Sequence, residues 1–365
     1  MINKLILLQF FCFTVVGVKA QYNVVPFSQV DAYAKKQMQE NHIPGLSIAV
    51  VQEGKIILTK GYGLSNLELS TPVTENSVFA IYSITKTFTA VATMMLVEEG
   101  KILLEDPITK HIDGLPATWN KIKVRHLLTH TSGLIDICEV SQDPCHTSKD
   151  YTQQEIVNLV ADSSLRSVPG EKWEYNNLGY FLLGMLIEKK TGKSYENFLQ
   201  ERIFVPLDMQ NTMLQNYNIV ISNRVNGYTW VKERYRNCLQ VSPTLTFSLA
   251  GLVSTVLDLA KYDAALYTEK LLKKSTLEQM WTKTTLNNGQ TVDHGLGFGM
   301  TPFRGHKRVG HSGGHTGFAT TITRLTDDKI TVIILSNSDP EGYKSDNGFL
   351  ISDIANEIAS FYFNK

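Results

Sequence analysis

The chain has no excess of charge of either sign: 35 basic and 35 acidic residues cancel over 365 positions. No basic run offers a footprint for nucleic acid and no acidic tail marks a disordered segment, so no nucleic-acid partner is expected. Internal repeats, low-complexity tracts and Gly/Ser linkers are missing, which argues against a solenoid or a string of tethered modules. Beyond the first twenty residues no apolar run reaches the roughly 20 residues of a membrane span. Phosphate-cradling and dinucleotide fingerprints are absent, as are Asp-rich metal motifs, so neither cofactor nor metal is expected. Cysteine is scarce, with four in all: Cys12, Cys138, Cys145 and Cys238.

What is present begins with an export pattern. Lys4 precedes an apolar run from Leu5 to Val18, and Val18-Lys19-Ala20 fits a small-residue cleavage site. Residues 1–20 therefore read as a signal peptide, with an uncleaved anchor as the alternative. Cleavage predicts a periplasmic or secreted protein with no remaining membrane span. Residues 21–365 then form one domain. Export makes disulfides permissible. Cys138 and Cys145 flank a short polar loop and can pair, but spacing alone leaves three unpaired thiols equally open.

Periodicity places helices at Ser28–Asn41, Ser83–Glu99, Val124–Leu128, Gln153–Val160, Leu178–Lys190, Tyr195–Phe204, Ser254–Tyr267 and Phe349–Phe361. Another is expected to start at Asp106-Pro107. Leu46–Val51 and Lys55–Thr59 read as a β-hairpin, and Phe318–Leu325 and Lys329–Leu335 as a second. Gly297–Met300 reads as extended. Strands lie at both ends and helices in the middle. The expected fold is an α/β (α+β) sandwich: an antiparallel sheet from about 21–80 and 251–365, flanked by the terminal helices, with a helical lobe of about 81–250 inserted.

Ser83-Ile84-Thr85-Lys86 heads an apolar helical run and is the single Ser-x-x-Lys in the chain. The i, i+3 spacing puts hydroxyl and amine on one face. A buried lysine becomes neutral and takes a serine proton, which makes the serine a nucleophile. The competing reading is a capping serine beside a solvated lysine. Acyl transfer also needs a second proton relay and an oxyanion hole. Tyr175-Asn176-Asn177 offers the relay in Tyr175 and an amide in Asn177 to align an acyl chain. Tyr195-Glu196-Asn197 and Tyr235-Arg236-Asn237 share the pattern, but the first lies inside an amphipathic helix and the second in a charged stretch. His311-Ser312-Gly313-Gly314 falls where the sheet presents an edge. Glycines there let a substrate backbone approach, and the N–H groups of Ser83 and Gly314 can form the oxyanion hole. His315-Thr316-Gly317 repeats the shape and leaves the register open between His311 and His315, with His311 favoured because Gly313-Gly314 leaves more room. His126 and His130 have the spacing of a zinc helix, but no Glu follows His126 and Thr131-Ser132-Gly133 ends the helix.

Taken in order, Ser83-Ile-Thr-Lys86, Tyr175-Asn-Asn177 and His311-Ser-Gly313 resemble the three motifs of the penicillin-recognising serine hydrolases. That family includes class C β-lactamases, D-alanyl-D-alanine carboxypeptidases of the Streptomyces type and related esterases. Val124–Leu134, Tyr175–Tyr180 and Ala250–Ser254 extend the resemblance, which spans roughly residues 28–360. It implies Ser83 as nucleophile, Lys86 and Tyr175 sharing acid–base duty, and Asn177, His311, Gly313 and Gly314 binding substrate. Class C β-lactamases carry lysine where this chain has His311. A histidine, mostly neutral at pH 7, attracts a carboxylate less, and the pattern looks more like the carboxypeptidase and esterase branches. The expected substrate is a small molecule or peptide, a D-alanyl peptide or related ester. β-Lactam hydrolysis, a penicillin-binding sensor without turnover and a catalytically dead scaffold are the alternatives.

Overall fold

A computed structural model describes residues 27–140, 145, 147–338, 344–345 and 348–363. The expected signal peptide, residues 1–20, lies outside them. Helix α1 (Phe27–Glu40) leads into β1 (Gly45–Gln52), β2 (Lys55–Asn66) and β3 (Thr71–Pro72). A 3-10 turn (Tyr82–Ile84) runs into α2 (Thr85–Glu98). The middle of the chain carries α3 (Asn177–Thr191), α4 (Pro243–Ala250) and α5 (Val256–Ala265), with shorter helices between. Strands β4 (Arg308–His315), β5 (Phe318–Leu325) and β6 (Ile330–Ser336) follow, and α6 (Leu350–Ser360) closes the fold. The sheet order is β4-β5-β6-β1-β2-β3, with every pairing antiparallel. The two ends of the chain thus build one sheet, as the sequence pattern implies.

Both faces of that sheet are covered, which explains why β1 and β6 read as near-continuous apolar runs, interrupted only by small hydroxyl residues such as Ser47 and Thr331. Leu46, Ile48 and Val50 of β1, and Val332 and Ile334 of β6, pack with Val30 of α1 and Ile354 and Ile358 of α6. Ala49, Val51, Ile333 and Leu335 point the other way, into the core shared with α2, α3 and α5. The period of two sorts each strand between two cores. Each such aliphatic side chain contributes about 1.5–3 kcal/mol by leaving water. On the lobe-facing side Arg324 of β5 donates from Nε to Asp263 of α5 at 2.6 Å, both fully buried. The guanidinium lies between the rings of Tyr267 and Trp281, at 4.6 and 4.7 Å.

Three elements differ from expectation. The helix anticipated at Asp106-Pro107 is only a 3-10 turn, Ile108–Lys110. The Asp106 carboxylate accepts from Leu103 N, Lys110 Nζ and His111 Nε2 and folds the chain tightly around itself. Gly297–Met300 is not a strand. Gly297 has φ +84°, and a Cβ there would lie 2.4 Å from the Ala90 side chain. The segment keeps one bridge to the sheet, Gly299 to Gly310. Tyr228–Val231 and Arg234–Asn237 form a hairpin inside the supposedly helical region. Lys232 and Glu233 make its two-residue turn with φ +50° and +59°, a conformation that sequences usually signal with Asn-Gly.

Candidate active site

Ser83 is fixed by its neighbour. Ile81 N donates to Leu252 O at 3.0 Å, and Ile81 O accepts from Thr320 Oγ1 of β5 at 3.0 Å. The 3-10 turn is therefore tied to the lobe on one side and to the sheet on the other. Tyr82, at φ +42°, turns the chain so that Ser83 enters the cleft just before α2. Residues Thr85 to Leu96 of α2 are all buried. Lys86 is carried inside with them, at 0% exposure, which excludes the solvated-lysine reading.

Lys86 Nζ has three acceptors: Ser83 Oγ at 3.0 Å, Asn177 Oδ1 at 2.9 Å and Leu249 O at 2.9 Å. Burial lowers its pKa from the ordinary lysine value to about 7, against the opposing pull of Asp136. The neutral amine has two hydrogens. When these go to Asn177 and Leu249, the lone pair faces Ser83 Oγ. The acceptors on Asn177 and Leu249 thus orient the amine for taking the serine proton.

Tyr175 precedes α3 and hydrogen-bonds Ser83. Burial raises its hydroxyl pKa well above the ordinary tyrosine value, so the group stays protonated. Its loop is clamped on His130: Glu174 N donates to His130 O at 2.9 Å, and Asn176 N to His130 Nδ1 at 3.0 Å. Asn176 caps α3 by accepting from Gly179 N at 2.8 Å. His130 lies well below its ordinary pKa through burial, helped by His294, Lys86 and His311. A neutral ring suits its accepting Nδ1. His130 is thus a support for the Tyr175 loop and not half of a metal pair, while His126 Nδ1 accepts from Lys123 N at 3.2 Å. Among the described residues, no group of three His, Cys, Asp or Glu is placed to hold a metal ion.

The edge strand β4 supplies the opposite wall. His311 lies 6.2 Å from Tyr175, ring to ring. Its Nδ1 donates to Ser312 O at 2.6 Å, and burial lowers its pKa to about 4, so it is uncharged at neutral pH. His315 instead bonds the carbonyl of Cys145 at 2.8 Å. A Cβ on Gly313 would lie 2.9 Å from Ser83 N and 2.1 Å from Ile81 O, so only glycine permits this approach. Gly310 N and O bond Gly299, away from β5. The period of two then turns the Gly314 amide to the same outer edge, the side of the cleft.

The other Tyr-x-Asn patterns are elsewhere. Tyr195 is buried against Thr89 at 2.7 Å, and Tyr235 lies in the outer hairpin. Cys138 and Cys145 form a disulfide in the cleft wall; Cys238 takes no part in it. The cleft, about 800 Å³, has apolar lining from Val241, Leu245 and Leu249, and polar lining from Arg308, Ser312 and Ser352. Sequence reading missed Asp136, which no motif marks. It caps the turn Ile137–Glu139 by accepting from Cys138 N at 2.8 Å, and it also accepts from Asn177 N and Asn177 Nδ2.

A helical lobe set on an antiparallel sheet, with Ser83, Lys86 and Tyr175 gathered at their junction, defines the class as a serine hydrolase. The chain belongs to the β-lactamase family, whose model, described as Beta-lactamase, matches residues 30–356. It is 31% identical over 318 residues to a penicillin-binding protein of Bacillus subtilis (strain 168), covering 83% of this chain and 70% of that protein. It is 30% identical over 204 residues to Protein flp of Staphylococcus aureus (strain MW2), of which it covers 41%. Among solved structures it resembles the octameric penicillin-binding protein homologue from Pyrococcus abyssi (TM-score 0.79, 32% identity, 91% of this chain and 76% of that one). It also resembles D-amino acid amidase from Ochrobactrum anthropi SV3 (TM-score 0.81, 25% identity, 93% and 99%).

Proposed function

We propose that this protein hydrolyses a small amide or ester of a D-amino acid, in the first place a D-alanyl peptide, through an acyl intermediate on Ser83. The observation that carries the reading is the buried Lys86 amine, 3.0 Å from Ser83 Oγ and titrating at about 7. Ser83 Oγ bonds the substrate carbonyl carbon while its proton passes to Lys86 Nζ. The carbonyl oxygen becomes an oxyanion on the N–H groups of Ser83 and Gly314. The bond to the leaving amine or alcohol then breaks, and that group takes a proton through Tyr175, whose raised pKa suits a donor better than a base. Tyr175 is replenished from Lys86, and water releases the acyl group by the reverse path. Asn177 aligns the acyl chain, and the strand edge at Gly313-Gly314 lies against it. Likeness to a D-amino acid amidase and to penicillin-binding proteins supports a D-configured substrate. A His311 kept neutral, where class C β-lactamases carry lysine, speaks against efficient β-lactam turnover. The apolar N-terminal run with its cleavage pattern, together with the Cys138–Cys145 disulfide, supports an exported protein.

The test is a hydrolysis panel containing a D-alanyl-D-alanine peptide, D-amino acid amides, small esters and a penicillin. Turnover of a D-configured amide or ester that vanishes in Ser83→Ala is expected. Equal rates for both proteins on every compound would refute the reading.

A further inference from the structure

The mechanism above depends on the Lys86 lone pair facing Ser83, and that orientation is decided two bonds away. Lys86 Nζ lies 2.9 Å from Asn177 Oδ1. An amide has a donor end and an acceptor end, and a half-turn about its last bond exchanges them. With the NH2 toward Lys86, a neutral lysine would spend its lone pair on Asn177 and leave Ser83 without a base. Something must hold the oxygen inward.

On the far side of the amide, Asn177 Nδ2 donates to Asp136 Oδ1 at 3.3 Å and to Cys138 Sγ at 3.6 Å. Asp136 also takes the Asn177 backbone N–H and, at 2.8 Å, that of Cys138. A carboxylate accepts and never donates, and it is buried here at 5% exposure. It therefore fixes the amide nitrogen outward. Polarity then runs one way: carboxylate to amide, amide oxygen to amine, amine lone pair to hydroxyl.

The charges around Lys86 point to the same residue. Its amine lies 4.9 and 5.7 Å from the ring centres of Tyr175 and Tyr180, both with raised pKa and so neutral. His130 and His311 face it as well, both with lowered pKa and so neutral. Among the described residues, Asp136 is the one anion whose field acts on it. When the Ser83 proton reaches Lys86, the new ammonium is buried, and a buried charge requires a counter-charge.

We infer that Asp136 is a positioning residue of this site: it locks Asn177 with its oxygen on Lys86 and supplies the counter-charge for the ammonium formed during acylation. The inference rests on the proposed roles of Ser83 and Lys86. It adds a residue that touches neither substrate nor the reacting atoms.

The experiment is the pH profile of acylation, followed by intact mass with a penicillin, for the wild type, Asp136→Asn and Asp136→Glu. In the wild type the rate falls below about pH 7 as Lys86 protonates. Asp136→Asn removes the anion and places a donor against N–H groups. Its maximal rate is expected to fall roughly tenfold or more, and its limb to move down by about one unit. Asp136→Glu keeps the charge but displaces it, so its maximum falls while the limb stays. A merely structural residue would lower the rate without moving the limb, and an unmoved limb in Asp136→Asn overturns the inference. Should that variant not fold, Asp136→Ser, which preserves the cap on Cys138 N, gives the same readout. A wild type with Ser83-dependent acylation but no limb near 7 refutes the basic role of Lys86 instead, and with it any need for Asp136.

Discussion

Replacing Lys86 by methionine separates what this side chain does for reaction from what it costs the fold. Burial lowers its pKa from 10.5 to about 7. At pH 7 roughly half of the folded molecules then hold a neutral amine, and at pH 5 about one in a hundred. Removing the base is expected to slow acylation about 10²–10⁴-fold. Stability moves the other way. A base whose folded pKa lies below its unfolded value is destabilising while charged, and that penalty is fully present below about pH 7. Between pH 7 and about 10.5 the unfolded chain binds one more proton than the folded one, so wild-type stability rises by about 1.4 kcal/mol per pH unit relative to Lys86→Met. The whole span is on the order of 5 kcal/mol. The three hydrogen bonds lost in the variant offset the comparison by a pH-independent amount. Urea denaturation of both proteins at pH 6, 8 and 10 measures the difference. Lys86→Met should gain on the wild type at pH 6 and lose that advantage toward pH 10. A difference that stays constant with pH would refute the placement of a depressed lysine in this site.

Tyr175→Phe keeps the ring against His130 and removes the proton donor. Turnover of an amide should drop about a hundredfold or more, while the acidic limb near pH 7 stays in place, as a pH–rate profile will report. In Gly313→Ala the new methyl would meet Ile81 O at 2.1 Å and Ser83 N at 2.9 Å. The strand edge must move, and acylation of Ser83 by a penicillin should become undetectable on the wild-type timescale in a mass-resolved time course. Arg324→Met leaves the Asp263 carboxylate buried without its cation. A loss of about 3–5 kcal/mol is expected in urea denaturation, and an effect below 1 kcal/mol would count against a dry interior at that point.

Much of this arrangement was legible in the chain because two kinds of signal are local. The apolar run after Ser83 and the near-continuous β1 and β6 runs report burial on both sides, and burial fixes which elements lie in the middle. Ser-x-x-Lys, Tyr-Asn-Asn and His-Ser-Gly are short, but their order along the chain is specific to one family. Context marks Tyr195 and Tyr235 off from Tyr175, since an amphipathic helix and a charged stretch declare themselves in composition. What stayed hidden depends on contacts distant in sequence. Asp136 acts through Asn177, 41 residues away, and nothing in Leu134–Cys138 announces it except an Asx cap on a turn. His130 carries no motif of its own, and its hold on the Tyr175 loop rests on contacts to Glu174 and Asn176, more than 40 residues on. The hairpin at 228–237 escaped because Lys232 and Glu233 adopt a turn without its usual glycine. Gly297 breaks its segment because α2 passes beside it, a tertiary effect that no window of residues carries. His311, which the glycine pair favours in sequence, is told from His315 by contacts of the same distant kind. His311 faces Tyr175, whereas His315 is spent on the Cys145 carbonyl.

The central claim is that Ser83 becomes acylated with Lys86 as the base. The most direct test is acid-quenched intact mass within seconds to minutes of adding a penicillin or, separately, an N-acyl-D-alanyl thioester. The account predicts a single acyl adduct with at least one reagent, absent in Ser83→Ala and slowed in Lys86→Met. An unmodified wild type with both reagents, or an equal adduct on Ser83→Ala, would contradict it.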